Sequence, residues 1–265
     1  MSAKEWVYGI HAVSELLKQY PQDITELLVQ QERGDRRIDE VKALADAAGV
    51  AMTVLPGAAL EKRLQSAGKQ SKPGKKPAKL AHQGVAALCT LPDRRGSEKD
   101  LDALLDGLDG PPFLLVLDEI TDPHNLGACL RSADAAGVHA VIVPKDNAAP
   151  LNMTVRKVAV GAAERVPLIA VTNLSRTLKQ LQERGIWVSG AAGEATQTLY
   201  EADLAGPLAL VMGSEGKGMR RLTREHCDFL LSIPMHGSVS SLNVSVATGV
   251  CLYEAVRQRA AKQTS

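Results

Sequence analysis

The sequence predicts two α/β domains, the second of which is built on a mainly parallel sheet. Apolar runs typical of strands alternate with segments of helical periodicity along most of the 265 residues. In the second half these runs are continuously apolar, as expected where helices cover both faces of a parallel sheet. Hydrophobic residues make up 45% and charged residues 23%, which is ordinary globular usage and excludes wholesale disorder.

Residues 1–90 predict a small α/β domain. Apolar side chains recur at helical spacing from Ile10 onwards, and short apolar runs follow between turn residues. The predicted helices cover residues 10–17, 38–48 and 58–64, and the predicted strands cover residues 26–30, 50–55 and 84–90.

Residues 91–110 predict a linker between this domain and a second one at 111–265. Positions 91–109 contain three basic and six acidic side chains, and the segment ends at Gly110-Pro111-Pro112. Within it, helical spacing predicts one amphipathic helix on Leu101, Leu104, Leu105 and Leu108. The second domain has predicted strands at 113–117, 140–143, 166–170, 186–190 and 208–212, with helices at 126–136, 174–184 and 242–258.

A lysine-rich segment lies near the end of the first domain. Proline and glycine interrupt it, and no acidic residue occurs between Glu61 and Asp93. One interpretation is a solvated loop, and the other is a mobile cationic arm that contacts a phosphate backbone. Its lysines are Lys69, Lys72, Lys75, Lys76 and Lys79.

The composition disfavours several other classes of protein. Aromatic residues are only 3%, too few for a nucleic-acid surface built on stacking platforms. The longest apolar run, 113–117, is far shorter than the ~20 residues of a membrane span, and the N-terminus lacks a secretory pattern, so we expect a cytoplasmic protein. Cys89, Cys129, Cys227 and Cys251 show neither zinc-ligand nor disulfide spacing, so we expect buried thiols and no metal.

Three polar clusters follow predicted strands or precede predicted helices. The first, at 121–133, has Asn125 near a helix start and Arg131 six residues later. Helix capping by Thr121, Asp122 or Asn125 would explain each residue alone. It does not explain why polar groups concentrate at the carboxyl end of a strand, where open α/β sheets bind ligands.

The second cluster, at 211–219, contains three glycines in six residues with Glu215 between them. Glycines allow the backbone to pass close to a ligand, but the pattern is neither a P-loop nor G-x-G-x-x-G.

In the third cluster, at 233–247, Ser240 or Ser241 is the predicted N-cap of a helix, which places Asn243 in its first turn. We expect the helix to pack through Leu242, Val246, Gly249, Val250 and Tyr253. Neither a Cys-His nor a Ser-His-Asp arrangement is present, which favours hydrogen bonding over a covalent nucleophile.

Taken in order, the three clusters resemble the signature motifs of the SpoU family of RNA ribose 2'-O-methyltransferases. The resemblance covers residues 113–259, and YGIHAV at 8–13 with HQGVAA at 82–87 extends it through the first domain. It implies a ribosomal-protein-like RNA-binding domain, followed by a trefoil-knotted SPOUT methyltransferase domain. It further implies S-adenosylmethionine as cofactor, a homodimer with the active site at its interface, and a guanosine of 23S rRNA as substrate.

The same resemblance assigns roles to individual residues. It places Gly213, Ile233 and Leu242 at the cofactor, with Ser214 and Met235 nearby. It places Asn125, Arg131, Glu215, Ser241 and Asn243 in the polar catalytic site. For RNA contact, the charge pattern adds Lys72, Lys75 and Lys76 to Arg131.

The chemistry of Arg131 is open at this point. A guanidinium keeps its proton up to a pH of about 12 and cannot accept another while charged. Either its site makes Arg131 give up its proton and act as the base, or it stays charged, grips a phosphate and stabilises the developing alkoxide.

Three alternatives to this function remain. The substrate could be another RNA or another rRNA site, the chain could be an inactive ribosome-assembly protein, or it could be a metabolic enzyme with an incidental basic loop. The presence of Asn125, Arg131, Glu215 and Asn243 together argues against an inactive RNA binder. A metabolic enzyme would leave the lysine-rich segment and the first domain without a purpose.

Overall fold

The computed structural model describes residues 3–31, 36–67, 82–91 and 95–263. The chain divides into two compact units, Met1–Asp93 and Arg94–Ser265. Most of the segment predicted as a linker therefore belongs to the second unit. Its helix packs on the sheet of that unit through Leu101, whereas Leu108 lies beyond the helix end.

In its described residues, the first unit is a four-stranded sheet with three α-helices. The sheet has the order β1-β4-β2-β3, in which β4 is antiparallel to both its neighbours and β2 is parallel to β3. All the helices and strands predicted for this domain are present. The elements are β1 (Ala3–Tyr8), α1 (Ile10–Gln19), β2 (Ile24–Gln30), α2 (Arg36–Ala47), β3 (Met52–Leu55), α3 (Gly57–Ala67) and β4 (Val85–Leu91).

The second unit is a seven-stranded sheet in which every neighbouring pair is parallel, in the order β7-β6-β5-β10-β8-β11-β9. The mainly parallel sheet is thus confirmed. Its strands are β5 (Phe113–Asp118), β6 (Ala140–Pro144), β7 (Leu168–Val171), β8 (Trp187–Ala191), β9 (Gln197–Thr198), β10 (Leu208–Gly213) and β11 (Phe229–Ser232). Its helices are α4 (Glu98–Asp106), α5 (Pro123–Ala135), α6 (Met153–Ala159), α7 (Ala162–Arg165), α8 (Leu174–Glu183), α9 (Arg221–Glu225) and α10 (Val244–Gln263).

Helices cover both faces of this sheet. Leu115 and Leu117 of β5 pack in a core with α5, α6, α7 and α10, while Leu114 and Val116 pack in a second core with α4 and α8. The alternation follows from the pleat, which points successive side chains to opposite faces. Because both faces are buried, the strand is apolar from Phe113 to Leu117, before it ends at Asp118.

In this sheet, β10 occupies the central position and lies beside β5. The trefoil knot implied by the resemblance stays a prediction, since strand order does not define threading. In the described ranges, no helix is long and apolar enough to cross a membrane.

The start and the buried face of α10 differ from the prediction. The helix begins at Val244, and Asn243 caps it by accepting the backbone N–H of Ser245 on Oδ1 at 2.9 Å, so neither Ser240 nor Ser241 is the N-cap. The predicted packing face was right only in part, because Val250 packs against the core but Val246 and Tyr253 are each 53% exposed. The residues that α10 buries are Val244, Thr248, Cys251, Leu252, Glu254 and Ala255.

Candidate active site

The predicted site residues follow three strands of the same sheet, of which β5 and β10 are neighbours and β11 is separated from β10 by β8. Asn125 lies in the helix after β5, Gly213 ends β10, and Ile233 comes directly after β11. Because all these strands are parallel, their carboxyl ends meet at one edge of the sheet, the usual ligand edge of such folds.

A cleft of about 420 Å³ opens at this edge. Its walls are residues 191–194 after β8, residues 212–219 at and after β10, residues 231–235 around the end of β11, and residues 240–247 at the start of α10. All five predicted cofactor residues line it, together with two of the predicted polar residues. These are Gly213, Ser214, Ile233, Met235 and Leu242, with Glu215 and Ser241.

One wall of the cleft is a closed loop at residues 213–219, here called the glycine-rich loop. Ser214 and Gly218 each donate a backbone N–H to the other's carbonyl, at 3.0 and 2.9 Å. Gly216 and Gly218 have φ of +79° and +70°, a conformation that side chains other than glycine adopt at a cost. A Cβ on Gly213 would lie 2.1 Å from the carbonyl carbon of Gly218, so the close approach requires glycine there too.

At the tip of this loop, Glu215 meets two polar side chains from distant parts of the chain. The Asn243 amide nitrogen Nδ2 donates to Oδ1 of Asn125 at 3.0 Å. Both Asn125 Nδ2 and Asn243 Nδ2 approach Oε2 of Glu215 at 3.5 Å. Of the three residues, Glu215 lines the cleft, whereas Asn125 and Asn243 lie behind it through their contacts with Glu215. The cluster therefore presents amide groups and one carboxylate beside the cleft, which suits the orientation of a hydroxyl group.

Local structure fixes the amide of Asn125. Asp122 is the N-cap of α5, accepting the backbone N–H of His124 on Oδ1 at 3.1 Å, and Pro123 occupies the first helical position. Since Asp122 performs the capping, the Asn125 side chain is available to Asn243 and Glu215.

Arg131 does not join this cluster. It lies six residues after Asn125, which on an α-helix is about 120° around the axis. Its side chain is exposed, and it makes no hydrogen bond or ion pair with any residue that the structure describes. Lys72, Lys75 and Lys76, with Lys69 and Lys79, lie outside the described residues.

Two ion pairs next to the cluster were missed in the sequence. Arg224 pairs with Glu194 across the cleft wall, and Arg220 pairs with the fully buried Asp118. The sequence marks Asp118, which ends a strand that is otherwise entirely apolar, but it gives no sign of the partner.

The thiols offer no nucleophile to this site. Burial raises the pKa of Cys227 and Cys251 to about 12 and that of Cys129 to about 11, so these side chains stay protonated. Among the described residues, no group of three or more His, Cys, Asp or Glu is placed to hold a metal ion.

Comparison with known proteins identifies the family. Residues 112–253 match the SpoU rRNA Methylase family, and residues 6–70 match the RNA 2'-O ribose methyltransferase substrate-binding domain. The chain belongs to the SpoU family. Both matches follow the two units of the fold, so the family resemblance extends over both.

Similar proteins are known in several bacteria. The chain is 58% identical, over 96% of its length and 98% of the relative, to the 23S rRNA (guanosine-2'-O-)-methyltransferase RlmB of Pectobacterium atrosepticum. It is 56% identical, over 96% of its length and 99% of the relative, to the protein of the same name from Escherichia coli K12. Among solved structures, it superposes with a TM-score of 0.73 on the SpoU methyltransferase AviRb of Streptomyces viridochromogenes in complex with the cofactor AdoMet. That similarity has 25% identity and covers 97% of this chain and 91% of the other.

Proposed function

We propose that this chain transfers a methyl group from S-adenosylmethionine to the ribose 2'-hydroxyl of a guanosine in 23S rRNA. The observation that carries the proposal is the meeting of Asn125, Glu215 and Asn243 at the end of the loop that lines the cleft. The named activity of relatives that are 56–58% identical over nearly the whole chain supports the same reaction. Transfer of a labelled methyl group to unmodified 23S rRNA tests it.

The cleft fits this cofactor. Its volume of about 420 Å³ lies within the ~300–1,000 Å³ of small-molecule sites. Ile233, Met235 and Leu242 offer apolar surface to a purine, and the glycine-rich loop offers backbone polar groups without side chains in the way. When bound, S-adenosylmethionine supplies a methyl group on a positively charged sulfur.

The residues around the cleft orient the second reactant. In the transfer a C–O bond forms as the C–S bond breaks, the sulfur leaves as a neutral thioether, and the proton of the attacking hydroxyl passes to water. The Asn125 and Asn243 amides and the Glu215 carboxylate are placed to hold the ribose in line with the methyl group, and such positioning can account for much of the rate. Arg131, charged and exposed, would contact RNA phosphate and stabilise negative charge developing on that oxygen.

A homodimer belongs to this proposal. The family resemblance implies an active site at a dimer interface, and α10, which packs beside α5, exposes Val246 and Tyr253 on one side. A second copy covering this face would bury both apolar side chains. The second copy would also lie close to Arg131 on α5. Within one copy, the Arg131 side chain has no hydrogen-bond or ion-pair partner among the described residues.

Charges placed on this face are expected to separate the dimer. The double variant Val246→Glu/Tyr253→Glu should sediment as a folded monomer, because the interface would bury two unpaired carboxylates. Val54→Glu, which changes a side chain exposed on the first unit, is the control and should remain dimeric. A double variant that sediments like the wild type would contradict the assignment of this face.

The lysine-rich segment is expected to add affinity for RNA without taking part in transfer. Replacing Lys69, Lys72, Lys75, Lys76 and Lys79 by serine should weaken RNA binding. It should also lower the salt dependence of log K by up to about 0.7 per lost contact with single-stranded RNA. Saturating RNA should restore the single-turnover rate.

Lys18 and Lys42 provide the control, since each pairs with an acid on its own helix, and their replacement by serine should leave the salt slope unchanged. If the five-lysine variant keeps the wild-type slope, the segment is a solvated loop. A rate that stays low at saturation would mean that the segment helps to place the ribose.

Because 23S rRNA is a cytoplasmic molecule in bacteria, we propose that compartment for the protein.

A further inference from the structure

We propose that Asp118 is a positioning residue, which holds the Glu215 carboxylate in place by closing the base of the glycine-rich loop. The kinetic part of this inference rests on the proposed methyl transfer. The structural part concerns only the loop and can be measured without any reaction.

Asp118 is the last residue of β5, and its side chain is fully buried. Both carboxylate oxygens are bound by a single residue. The Arg220 backbone N–H donates to Oδ2 at 2.8 Å, and the Arg220 side-chain nitrogens Nε and Nη2 both lie 2.7 Å from Oδ1. A buried carboxylate is costly unless a charged partner and hydrogen bonds satisfy it, so this contact determines where Arg220 can lie.

The same residue also fixes the other end of the loop. Gly213, where the loop begins, is paired in register with Asp118 through the parallel β10 and β5 strands. Arg220 follows directly after the loop ends. Asp118 therefore holds Gly213, at the start of the loop, through its backbone, and Arg220, just after the loop, through its side chain. Between these two residues, the bridge between Ser214 and Gly218 closes the loop.

Glu215 needs such support because its own contacts are weak. Its side chain is exposed, and in the described part of the chain its hydrogen bonds are the two at 3.5 Å from Asn125 and Asn243. Hydrogen bonds of this length are at the outer limit of useful geometry. The position of the carboxylate is therefore set mainly by the backbone of the loop, which Asp118 anchors.

The location of the ion pair also favours a role at the site over a role in the core. Although Asp118 is buried, the Arg220 side chain is 41% exposed, and its Nε lies 3.8 Å from Oε1 of Glu119 on the segment leading to α5. The pair thus sits at the carboxyl edge of the sheet, between the loop that carries Glu215 and the segment that leads to Asn125.

Two variants weaken the anchor in different ways. Asp118→Asn keeps the shape and loses the charge, whereas Arg220→Lys keeps the charge and the backbone bond but loses the guanidinium fork. At saturating S-adenosylmethionine and RNA, we expect each variant to lower the single-turnover rate by about 10- to 100-fold, since small displacements of reacting groups have effects of this size. Arg221→Ala is the control, because Arg221 is exposed and pairs only with Glu225 within α9, and it should keep the wild-type rate.

A double-mutant cycle decides whether Asp118 acts through Glu215. If it does, Asp118→Asn/Glu215→Gln should be no slower than Glu215→Gln alone, whereas independent structural damage would multiply the two losses. Multiplied losses would overturn the proposal, and so would a wild-type rate in both Asp118→Asn and Arg220→Lys.

Hydrogen exchange provides a readout that does not depend on the reaction. In Asp118→Asn, the backbone N–H groups of Ser214 and Gly218 should exchange faster than in the wild type, while the N–H groups in the middle of β10 keep their protection. Unchanged exchange at Ser214 and Gly218 would refute the anchor itself. If the wild-type protein fails to methylate RNA while Asp118→Asn still shows the faster exchange, the proposed function is refuted and the anchor stands.

Discussion

Replacing Arg131 by alanine is expected to lower the single-turnover rate of methyl transfer by at least about 100-fold, which is the typical loss when one group that stabilises developing negative charge is removed. The fold and the affinity for S-adenosylmethionine should change little, because Arg131 does not line the cleft and its exposed side chain makes no hydrogen bond or ion pair with a described residue. Calorimetry of cofactor binding and single-turnover kinetics with RNA measure the two effects separately.

Arg131→Lys should fail almost as badly if a planar, bidentate contact with phosphate is needed, because lysine offers only a point charge. Arg165→Ala is a suitable control, since Arg165 is a surface arginine of the same unit that pairs with Asp134 at 3.5 Å. Unchanged transfer in Arg131→Ala would remove Arg131 from the catalytic site. A lost cofactor affinity would assign it to the cleft instead.

Replacing Gly213 by valine is expected to abolish cofactor binding in a protein that still folds. The sequence suggests direct exclusion of the cofactor as the reason, but the structure supplies a different one. A Cβ at position 213 would lie 2.1 Å from both the Gly218 carbonyl carbon and the Met219 nitrogen, so the glycine-rich loop would have to open. Circular dichroism and calorimetry together test this expectation.

Gly193 offers the matched comparison, because it lines the opposite wall of the same cleft and a Cβ there meets no atom within 4 Å. Gly193→Ala should bind the cofactor far better than Gly213→Ala, although both add one methyl group. Equal losses in the two alanine variants would point to crowding of the cofactor itself, and wild-type affinity in a folded Gly213→Val protein would contradict both explanations.

The strands of the second unit could be predicted because burial on both faces leaves a strong signal. In β5 every residue from Phe113 to Leu117 is apolar, and each packs against a helix on one side or the other. Where burial is partial the signal fails. β1, at the edge of its sheet, was missed because the charged Lys4 and Glu5 stand side by side, which leaves neither an alternating pattern nor a long apolar run. The very short β9 and β11 were missed for want of a long apolar run.

The error in the predicted packing face of α10, which included the exposed Val246 and Tyr253, has a related cause. The helix has apolar or small residues almost all the way round, so periodicity cannot tell the side that meets α5 from the side that is exposed. Val246 and Tyr253 satisfy the helical spacing as well as Val244 and Cys251 do. Only the packing of the chain distinguishes the two sets.

The candidate site, like the fold, could be predicted from the sequence only in part. The glycines around Glu215 and the amides of Asn125 and Asn243 stand out in the sequence because they concentrate at strand ends, where parallel sheets bind ligands. The contact between Asp118 and Arg220 joins positions 102 residues apart, and no local pattern reports it. By contrast, the spacing of six residues on a helix already places Arg131 about 120° around the axis from Asn125, and the structure leaves it outside the cluster.

The most direct test of the proposed function is transfer of the methyl group from tritiated S-adenosylmethionine to 23S rRNA that lacks its natural modifications, followed by mapping of the product. We expect one labelled nucleotide, a guanosine methylated on the ribose 2'-oxygen, and no label with Asn125→Ala/Asn243→Ala. Label on a base, label spread over many nucleotides, or no transfer by a folded protein that binds the cofactor would contradict the account.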